Sequence, residues 1–270
     1  MWTNRRRIFD RHCQLPTPVW VGNELWVYYS FRINCRSYIG RLVFDKNLRV
    51  LDENRGILSP GDSKMFDENG VMPSCVLMTA IGFRLYYTGW HDRPQHNPGY
   101  GQAIGLVASL DGVNFTRPQS QPILGVPAVP PIVNSPCLVG DRIYFSHGTG
   151  CQNEFASYSI YRGQLDSPIS ISNIKPVVIC HNQAMSRPCV RITEAGEELW
   201  SAVRRSDSKY RIRHYLNGQI DCEDVLPVSE TGWDSEMTCY PWLIELDGRT
   251  LMLYNGNGYG ASGLGVAELV

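Results

Sequence analysis

The sequence predicts an all-β fold built as a five-bladed β-propeller, and two observations lead to that prediction. The first is composition: aromatic residues make up 11% of the chain and charged residues 19%, with 25 glycines and 17 prolines. Such a composition is typical of many short strands joined by tight turns. The second is a strand–turn–strand pattern that recurs along the chain. Residues 1–270 are predicted to form one domain, because propellers of this length fold as single units.

Five segments share the pattern. Each begins with a small or polar residue and a proline, enters an apolar strand, passes a turn and ends in an aromatic strand. In chain order they are "TPVWVGNELWVYYS", "SCVLMTAIGFRLYYTGW", "SPCLVGDRIYFSHG", "RPCVRITEAGEELWSAVRR" and "YPWLIELDGRTLMLYNG". We take Pro18, Ser74, Pro136, Pro188 and Pro241 as their equivalent positions. These positions are 56, 62, 52 and 53 residues apart, and repetition of one unit at such a period predicts propeller blades.

Each unit continues with a third strand in which polar and apolar residues alternate: "RSYIGRLVF", "QAIGLVAS", "ASYSIYRG", "YRIRHYL" and "GLGVAEL". A weaker fourth strand follows in the first four units, which predicts four-stranded antiparallel blades. The fifth unit has room for only three strands before Val270. The N-terminal "RRRIFD" is therefore expected to supply the fourth strand and to close the ring, leaving no exposed sheet edge there.

The net charge limits the classes of partner that the protein is expected to bind, and the cysteine content indicates its compartment. The net charge is −1, which removes the electrostatic basis for binding nucleic acid or an anionic membrane surface. No run is long enough to span a membrane, and no apolar segment follows the basic N-terminus as in a secretory signal. Nine cysteines without a C-x-x-C pair fit free thiols, so we expect a cytoplasmic protein. The oligomeric state is not predicted.

Neither a metal nor a cofactor is expected. Six histidines without paired ligand spacing do not define a metal site. "GYGASG", at 258–263, matches G-x-G-x-x-G, but only seven residues follow it. There is no room for the helix and the later acidic residue of a dinucleotide-binding fold.

Polar residues precede the first strand of every unit. In a propeller this strand lines the central axis, so these residues should meet at one mouth of the channel. The residues expected there are His12, Gln14, Asp67, Glu68, Asn69, Asn134, Ser135, Arg187, Asp234, Glu236 and Tyr240. The sequence therefore predicts a single axial pocket.

Three carboxylates of this set, Asp67, Asp234 and Glu236, are the predicted catalytic residues. Paired carboxylates from separate elements suit glycosidic bond hydrolysis, in which one acid protonates the leaving group and one carboxylate attacks or activates water. The alternative is that these acidic loops cap strand ends by hydrogen bonding to the backbone.

The remaining residues are expected to bind substrate. Arg187 and Arg36 could hold a carboxylate, a phosphate or a sugar hydroxyl, although Arg36 could equally be a surface residue. Trp90, with His91 beside it, could stack on a sugar ring, or it could pack between blades. His12 is expected to bind substrate rather than act as an acid or a ligand.

The motifs "FDENGVMPSCV", "LYYTGW", "AIGLVASLDGVNF", "SRPCV" and "GWDSEMTCYP…LYNGNGYG" resemble those of bacterial five-bladed glycosidase-like propellers. These are related to glycoside hydrolase families 43 and 32, and the resemblance covers nearly the whole chain. It implies an axial carboxylate pocket for a glycoside or an activated sugar, and similar propellers are associated with surface-polysaccharide assembly. The chain departs from the pattern: His12 and Gln14 replace the first-blade Asp, and Asn134 and Ser135 replace the proton-donating Glu.

Together these features predict a carbohydrate-active enzyme that hydrolyses or transfers a glycosyl group. The alternative is a sugar-binding or scaffolding propeller without catalytic activity. The sugar, its linkage and the stereochemical outcome are not predicted, because the outcome depends on the separation of the carboxylates in space.

Overall fold

The computed structural model describes residues 1–125, 130–152 and 155–270, and nearly all of its regular structure is β-strand. In chain order the elements are β1 (Trp2–Phe9), β2 (Gln14–Val21), β3 (Glu24–Ile33), β4 (Arg36–Phe44), β5 (Val50–Leu58), β6 (Gly70–Thr79), β7 (Gly82–Asp92), β8 (Tyr100–Ser109), β9 (Val133–Val139), β10 (Arg142–Gln152), β11 (Phe155–Ser167), β12 (Ser170–Val178), β13 (Ala184–Thr193), β14 (Gly196–Arg204), β15 (Tyr210–Leu216), β16 (Gln219–Cys222), β17 (Cys239–Leu246), β18 (Arg249–Asn255), the four-residue helix α1 (Asn257–Gly260) and β19 (Leu264–Leu269). The prediction of an all-β fold is confirmed.

The strands form five antiparallel groups: β2–β5, β6–β8, β9–β12, β13–β16, and β17, β18 and β19 with β1. The first and second groups are joined by one parallel bridge, between Ser37 and Gly70. The third and fourth are joined by another, between Tyr158 and Ala184. In the last group β1 pairs antiparallel with β19, so the two ends of the chain share a sheet. Among the described residues, no helix is both long enough and apolar enough to cross a membrane.

The predicted third strands match the structure closely, whereas the predicted fourth strand of the second unit does not. "RSYIGRLVF" coincides with β4 and "YRIRHYL" with β15. After β8, the described residues contribute only isolated bridges, from Thr116 to Ala108 and from Leu124 to Ile104. This stretch contains Pro118 and Pro122, which cannot donate a backbone hydrogen bond to a neighbouring strand.

A β-bulge interrupts the first strand of every group at the same place. The register shifts occur between Gln14 and Thr17 in β2, at Ser74 in β6, and at the X-Pro steps of β9, β13 and β17. The equivalent position in the first unit is therefore Pro16, two residues before the predicted Pro18. Proline is tolerated at a bulge because the bulged residue is not paired in the ladder. The repeated proline in the sequence thus marks a repeated bulge.

Apolar clusters pack each group against the next. Leu85 and Val107 of the second group pack against Tyr28 and Ile39 of the first. Further clusters join the second group to the third, the third to the fourth and the fourth to the fifth. The fifth group also packs on the first, since Leu253 and Val266 contact the cluster that includes Val27 and Phe44. Every group therefore has two neighbours.

Arg187 of β13 is fully buried where the first strands approach one another. Its guanidinium donates to the carbonyl oxygens of Pro16 at 2.5 Å and Ser74 at 2.6 Å, and lies 4.6 Å from the ring centroid of Trp242. Burial lowers the pKa of Arg187 to about 10, which leaves it charged at neutral pH. One side chain thus contacts four of the five groups by linking β13 to β2, β6 and β17.

Candidate functional site

The pocket at the mouth of the inner strands has a volume of about 640 Å³ and is called the axial pocket here. All five groups contribute to its lining, although the first strands of the third and fourth groups, β9 and β13, do not. The lining residues are His12, Gln14, Arg32, Met72, Trp90, Asp92, Gly99, Tyr100, Gln102, Tyr158, Arg204, Tyr210, Tyr240, Gly258 and Tyr259. Four of the predicted site residues line it: His12, Gln14, Trp90 and Tyr240. The pocket combines aromatic faces with polar and charged groups, as sites for polar organic ligands do.

One wall of the axial pocket is formed by His12 and Trp90. The Trp90 indole N–H donates to the Ser37 hydroxyl at 2.7 Å, which fixes the ring orientation. The Arg32 guanidinium lies 6.0 Å from the centroid of the same ring. Burial, followed by the charges of Arg32 and Arg55, lowers the pKa of His12, so this imidazole is neutral at neutral pH.

Five tyrosines form the opposite wall: Tyr100, Tyr158, Tyr210, Tyr240 and Tyr259. The Tyr210 ring lies 5.9 Å from both the Tyr240 ring and the Tyr259 ring, at tilted and edge-on angles. Burial raises the pKa of Tyr210 and Tyr240 well above the usual value, and a lesser burial raises that of Tyr259. The phenols therefore stay protonated and can donate hydrogen bonds to a ligand.

Asp92 is the one carboxylate among the described residues that line the axial pocket. Asn69 positions it: the Asn69 amide nitrogen donates to the Asp92 carboxylate at 3.1 Å, and the Asp92 backbone N–H donates to the Asn69 amide oxygen at 2.9 Å. Asn69, predicted to bind substrate, does not line the pocket and instead holds Asp92. Asp92 was not predicted.

Asp67, a predicted catalytic residue, does not line the axial pocket. It is fully buried, and its carboxylate accepts hydrogen bonds from the Tyr87 hydroxyl at 2.8 Å and from Arg117 at 2.9 and 3.0 Å. The second oxygen, Oδ1, has no hydrogen-bond partner among the described residues. The carboxylate holds its loop against β7 and the segment around Arg117.

Asp234 has the same surroundings in the fifth group. Its carboxylate accepts from the Tyr254 hydroxyl at 2.8 Å and from Arg5 of β1 at 3.4 Å, and only 2% of the residue is exposed. Glu236, by contrast, is exposed and pairs with Lys209 at 3.3 Å. Neither carboxylate lines the axial pocket, so the three predicted catalytic acids are not brought together there. Their assignment to catalysis stays a prediction without support from this geometry.

The other predicted binding residues lie around the pocket rather than in its wall. Arg187 is buried below it, in the contacts with the inner strands described above. The Asn134 amide donates to Gln102, a lining residue, at 2.8 Å. The Ser135 backbone N–H donates to the Thr88 hydroxyl at 2.9 Å, which places Ser135 in the core.

The remaining three belong to the first two groups, His91 and Arg36 within strands and Glu68 in the loop before β6. His91 contacts the Phe66 carbonyl through Nδ1 at 3.2 Å. The Glu68 carboxylate accepts from the Lys64 backbone N–H at 2.7 Å, and Arg36 is exposed at the start of β4. None of the three lines the axial pocket.

Sequence reasoning missed most of the pocket because, apart from Trp90, His91 and Arg36, it considered only residues before the first strand of each unit. In an antiparallel group, the end of the second strand and the start of the third lie at the same mouth. Arg32, Asp92 and Arg204 end β3, β7 and β14, while Tyr100 and Tyr210 begin β8 and β15. The signal was present as polar or aromatic residues at these two positions.

A further cavity of about 480 Å³ lies beside the turn between β6 and β7. Its only acidic lining residue, Asp111, accepts hydrogen bonds from the backbone N–H groups of Val113 and Asn114 and from the Ser109 hydroxyl. These hydrogen bonds lower the pKa of Asp111, whose role is to hold its own turn. Among the described residues, no group of three or more His, Cys, Asp or Glu side chains could hold a metal ion.

Known structures with the same fold are propeller glycoside hydrolases. An endo-arabinase from Bacteroides thetaiotaomicron superposes with a TM-score of 0.69 at 12% identity, over 96% of this chain and 94% of that one. A thermostable family-43 glycoside hydrolase gives 0.67 at 14% identity, over 96% and 90%. The GH32 β-fructofuranosidase of Bombyx mori gives 0.63 at 16%, over 98% of this chain and 62% of the other. The resemblance to families 43 and 32 is thus confirmed: the chain has the propeller fold of these carbohydrate-active enzymes.

Two proteins of Mycobacterium tuberculosis are related in sequence. The uncharacterized protein MT1551 is 30% identical, with 96% of this chain and 92% of the relative aligned, and the uncharacterized protein Rv1502 is 29% identical over the same shares. The chain belongs to the family of these mycobacterial proteins. No protein-family model matches the sequence.

Proposed function

We propose that this protein binds a carbohydrate, as a glycoside or an activated sugar, in the axial pocket. The lining of that pocket supports the proposal more than any other observation. Trp90 and the tyrosine wall offer aromatic faces that suit the apolar C–H face of a sugar ring. Gln14, Gln102 and the tyrosine hydroxyls offer donors and acceptors for its hydroxyl groups. The fold is one used by enzymes that act on carbohydrates.

The proposal includes a single domain of five blades around one axis, closed by β1. Support comes from the five antiparallel groups, the bulge that each inner strand repeats, and the apolar cluster between the fifth and the first group. The pairing of β1 with β19 gives the last blade its fourth strand. In such a ring the mouths of all five inner strands open on one pocket.

Glycosyl hydrolysis or transfer in the same pocket is the second candidate, favoured by the presence of Asp92 with His12 in its lining. The usual mechanism requires two carboxylates about 5 to 10 Å apart. The described lining contains one, whereas Asp67 and Asp234 are engaged by tyrosine and arginine. We therefore place binding first and assign Asp92, rather than Asp67, as the group on which any turnover would depend.

Ligand-induced stabilisation tests the binding proposal. The purified protein is screened against monosaccharides, oligosaccharides and sugar nucleotides, with the shift in unfolding temperature as the readout. The Tyr259→Ala variant should weaken binding of any ligand found about fivefold, since an aromatic contact contributes about 1 kcal/mol. Tyr38→Ala, on a tyrosine that does not line the pocket, is the matched control. A complete absence of shifts would leave a protein-interaction propeller as the better description.

Turnover distinguishes the two candidates. Each sugar that binds is incubated with the protein and the products are separated by chromatography. Loss of turnover with retained binding in Asp92→Asn would support an enzyme that uses Asp92. If the same loss occurs instead in Asp67→Asn and Glu236→Gln, the residues predicted from the sequence are catalytic and the assignment of Asp92 is wrong. Binding without any product would support the sugar-binding function alone.

A further inference from the structure

The lining of the axial pocket carries more positive than negative charge, whereas the whole protein is slightly negative. The chain has a net charge of −1, but the described lining carries Arg32 and Arg204 against the single carboxylate of Asp92. Asp92 is already held by the Asn69 amide. A region of positive potential inside a pocket attracts anions and raises their local concentration.

Arg32 is the cation best placed to meet a ligand. It ends β3 with an exposed side chain, and its guanidinium lies over the Trp90 ring. None of the ion pairs among the described residues involves Arg32. The planar guanidinium can therefore offer paired N–H donors to a carboxylate or a phosphate.

The pKa of His12, which lines the pocket, shows the effect of nearby positive charges. Its pKa is lowered by burial and then by the charges of Arg32 and Arg55. An anion bound beside Arg32 would offset these charges, whereas a neutral sugar would not. Arg32 and His12 thus define an anion-accepting corner next to the aromatic face of Trp90.

We infer that the axial pocket takes a sugar that carries an anionic group, a phosphate or a carboxylate, and that Arg32 binds this group while the ring lies against Trp90 and the tyrosines. This inference rests on the proposed function, since it names the class of carbohydrate bound there. Arg32 is a specificity-determining residue in this arrangement. The two anionic groups share one chemistry, so matched ligands are needed to tell them apart.

Matched ligand sets test the inference by calorimetric titration. For glucose, galactose and mannose, the neutral sugar is compared with its 6-phosphate and its uronic acid, and inorganic phosphate is titrated alone. We expect at least one anionic member to bind ten times more tightly than its neutral parent. Arg32→Gln should remove most of this difference, and Arg32→Lys should retain part of it. Arg49→Gln, at an exposed arginine in the turn between β4 and β5, should leave it unchanged.

The outcomes separate this inference from the proposed function. Equal binding of neutral and anionic sugars would overturn the inference and leave sugar binding intact. An anionic preference that survives in Arg32→Gln would overturn the role of Arg32. Inorganic phosphate binding as tightly as the sugar phosphates would overturn the sugar-anion ligand in favour of a simple anion site. If no member of any set binds, both proposals fail.

Discussion

The buried carboxylates are the residues whose roles changed most between sequence and structure. Asp67 and Asp234 stand at equivalent places in their units, and each accepts a hydrogen bond from a tyrosine 20 residues later. Each also pairs with an arginine from another segment. A carboxylate satisfied in this way holds a loop in position. The contacts of Asp67 and Asp234 are with tyrosine and arginine side chains, not the backbone capping that the sequence offered as the alternative.

Asp67→Asn should destabilise the protein by about 3 kcal/mol, because it leaves the partly buried Arg117 without its charge partner. Glu236→Gln should change the free energy of unfolding by less than about 0.5 kcal/mol, since the exposed pair with Lys209 contributes little. Urea unfolding of both variants measures the difference. Equal stability of Asp67→Asn and the parent protein would show that the carboxylate is not needed to hold the loop.

His12 should make the protein less stable in acid. Its pKa in the folded state is lowered, so the unfolded chain binds a proton more readily than the folded protein does. The free energy of unfolding should therefore fall as the pH drops below about 6.5, the value for an unperturbed histidine. His12→Gln should show a smaller fall between pH 7.5 and 5.5. Parallel pH profiles for the two proteins would contradict a lowered pKa at His12.

Positions at the pocket could be predicted where the repeat in the sequence marked them, but contacts with residues outside the repeat could not. His12, Gln14, Trp90 and Tyr240 line the axial pocket, and their role in binding stays a prediction. The partner of Asp67 was not foreseeable, because Arg117 lies 50 residues further on and in no repeated motif. A local sequence pattern can indicate a carboxylate at a strand end, but it cannot show which distant arginine pairs with that carboxylate.

At the scale of the element, the first strands of four of the five groups combine a bulge with a backbone conformation that is rare for residues other than glycine. Leu15, Ser135, Arg187 and Tyr240 have φ values of +59°, +55°, +58° and +54°. Each precedes a proline. The same conformation therefore occurs both at Tyr240, which lines the axial pocket, and at Arg187, which is fully buried.

The conformation at Ser135 predicts opposite tolerance of two small changes. Ser135→Val should lower the free energy of unfolding by about 2 kcal/mol, since a β-branched residue is strained at positive φ. Ser135→Gly should be tolerated to within about 0.5 kcal/mol, because glycine adopts this conformation freely. Thermal and urea unfolding provide the comparison. A valine variant as stable as the glycine variant would mean that this backbone conformation is not maintained in solution.

Arg187 joins the inner strands, and its removal should be costly. Arg187→Met keeps the length of the side chain but leaves the carbonyls of Pro16 and Ser74 without donors, so we expect a loss of about 3 to 5 kcal/mol. Arg36→Gln, at an exposed arginine, is the control. If Arg187→Met folds with unchanged stability and instead loses ligand binding, the substrate-binding role predicted from the sequence is correct.

Element boundaries were predictable where the alternation of residues was clear. The alternation of polar and apolar residues predicted both ends of two strands correctly, Arg36–Phe44 and Tyr210–Leu216. The equivalent position of the first unit was wrongly predicted as Pro18 instead of Pro16. The segment "LPTP" contains two prolines, and only the strand register distinguishes them. The described residues after β8 form no fourth strand, in keeping with Pro118 and Pro122 in that stretch.

At the scale of the whole molecule, the proposed closure of the ring depends on β1. This strand pairs with β19, and its Arg5 donates to the Asp234 carboxylate. The repeat in the sequence made this arrangement predictable, because four strands were expected in the fifth unit and only three were available. The pocket's composition was less predictable, since it combines strand ends from distant units whose side chains share no motif.

Removal of residues 1–9 should expose the edge of β19 and unpair Asp234 from Arg5. We expect a destabilised protein that self-associates, as unpaired sheet edges do. A synthetic peptide of residues 1–11 should restore the unfolding temperature and the monomer fraction, measured by calorimetry and analytical ultracentrifugation. A scrambled peptide of the same composition is the control. A truncated protein that is stable and monomeric without the peptide would argue against closure by β1.

The pairing of the first strand with the last also has a consequence for biosynthesis. During translation β1 leaves the ribosome before any of its neighbours, whereas its partner β19 is made after every other strand of this fold. The segment β1 therefore has no partner until β19 has emerged. Because the Val270 backbone N–H donates to the Met1 carbonyl at 3.0 Å, a short linker between these ends, with new ends opened at a surface turn, would remove that delay.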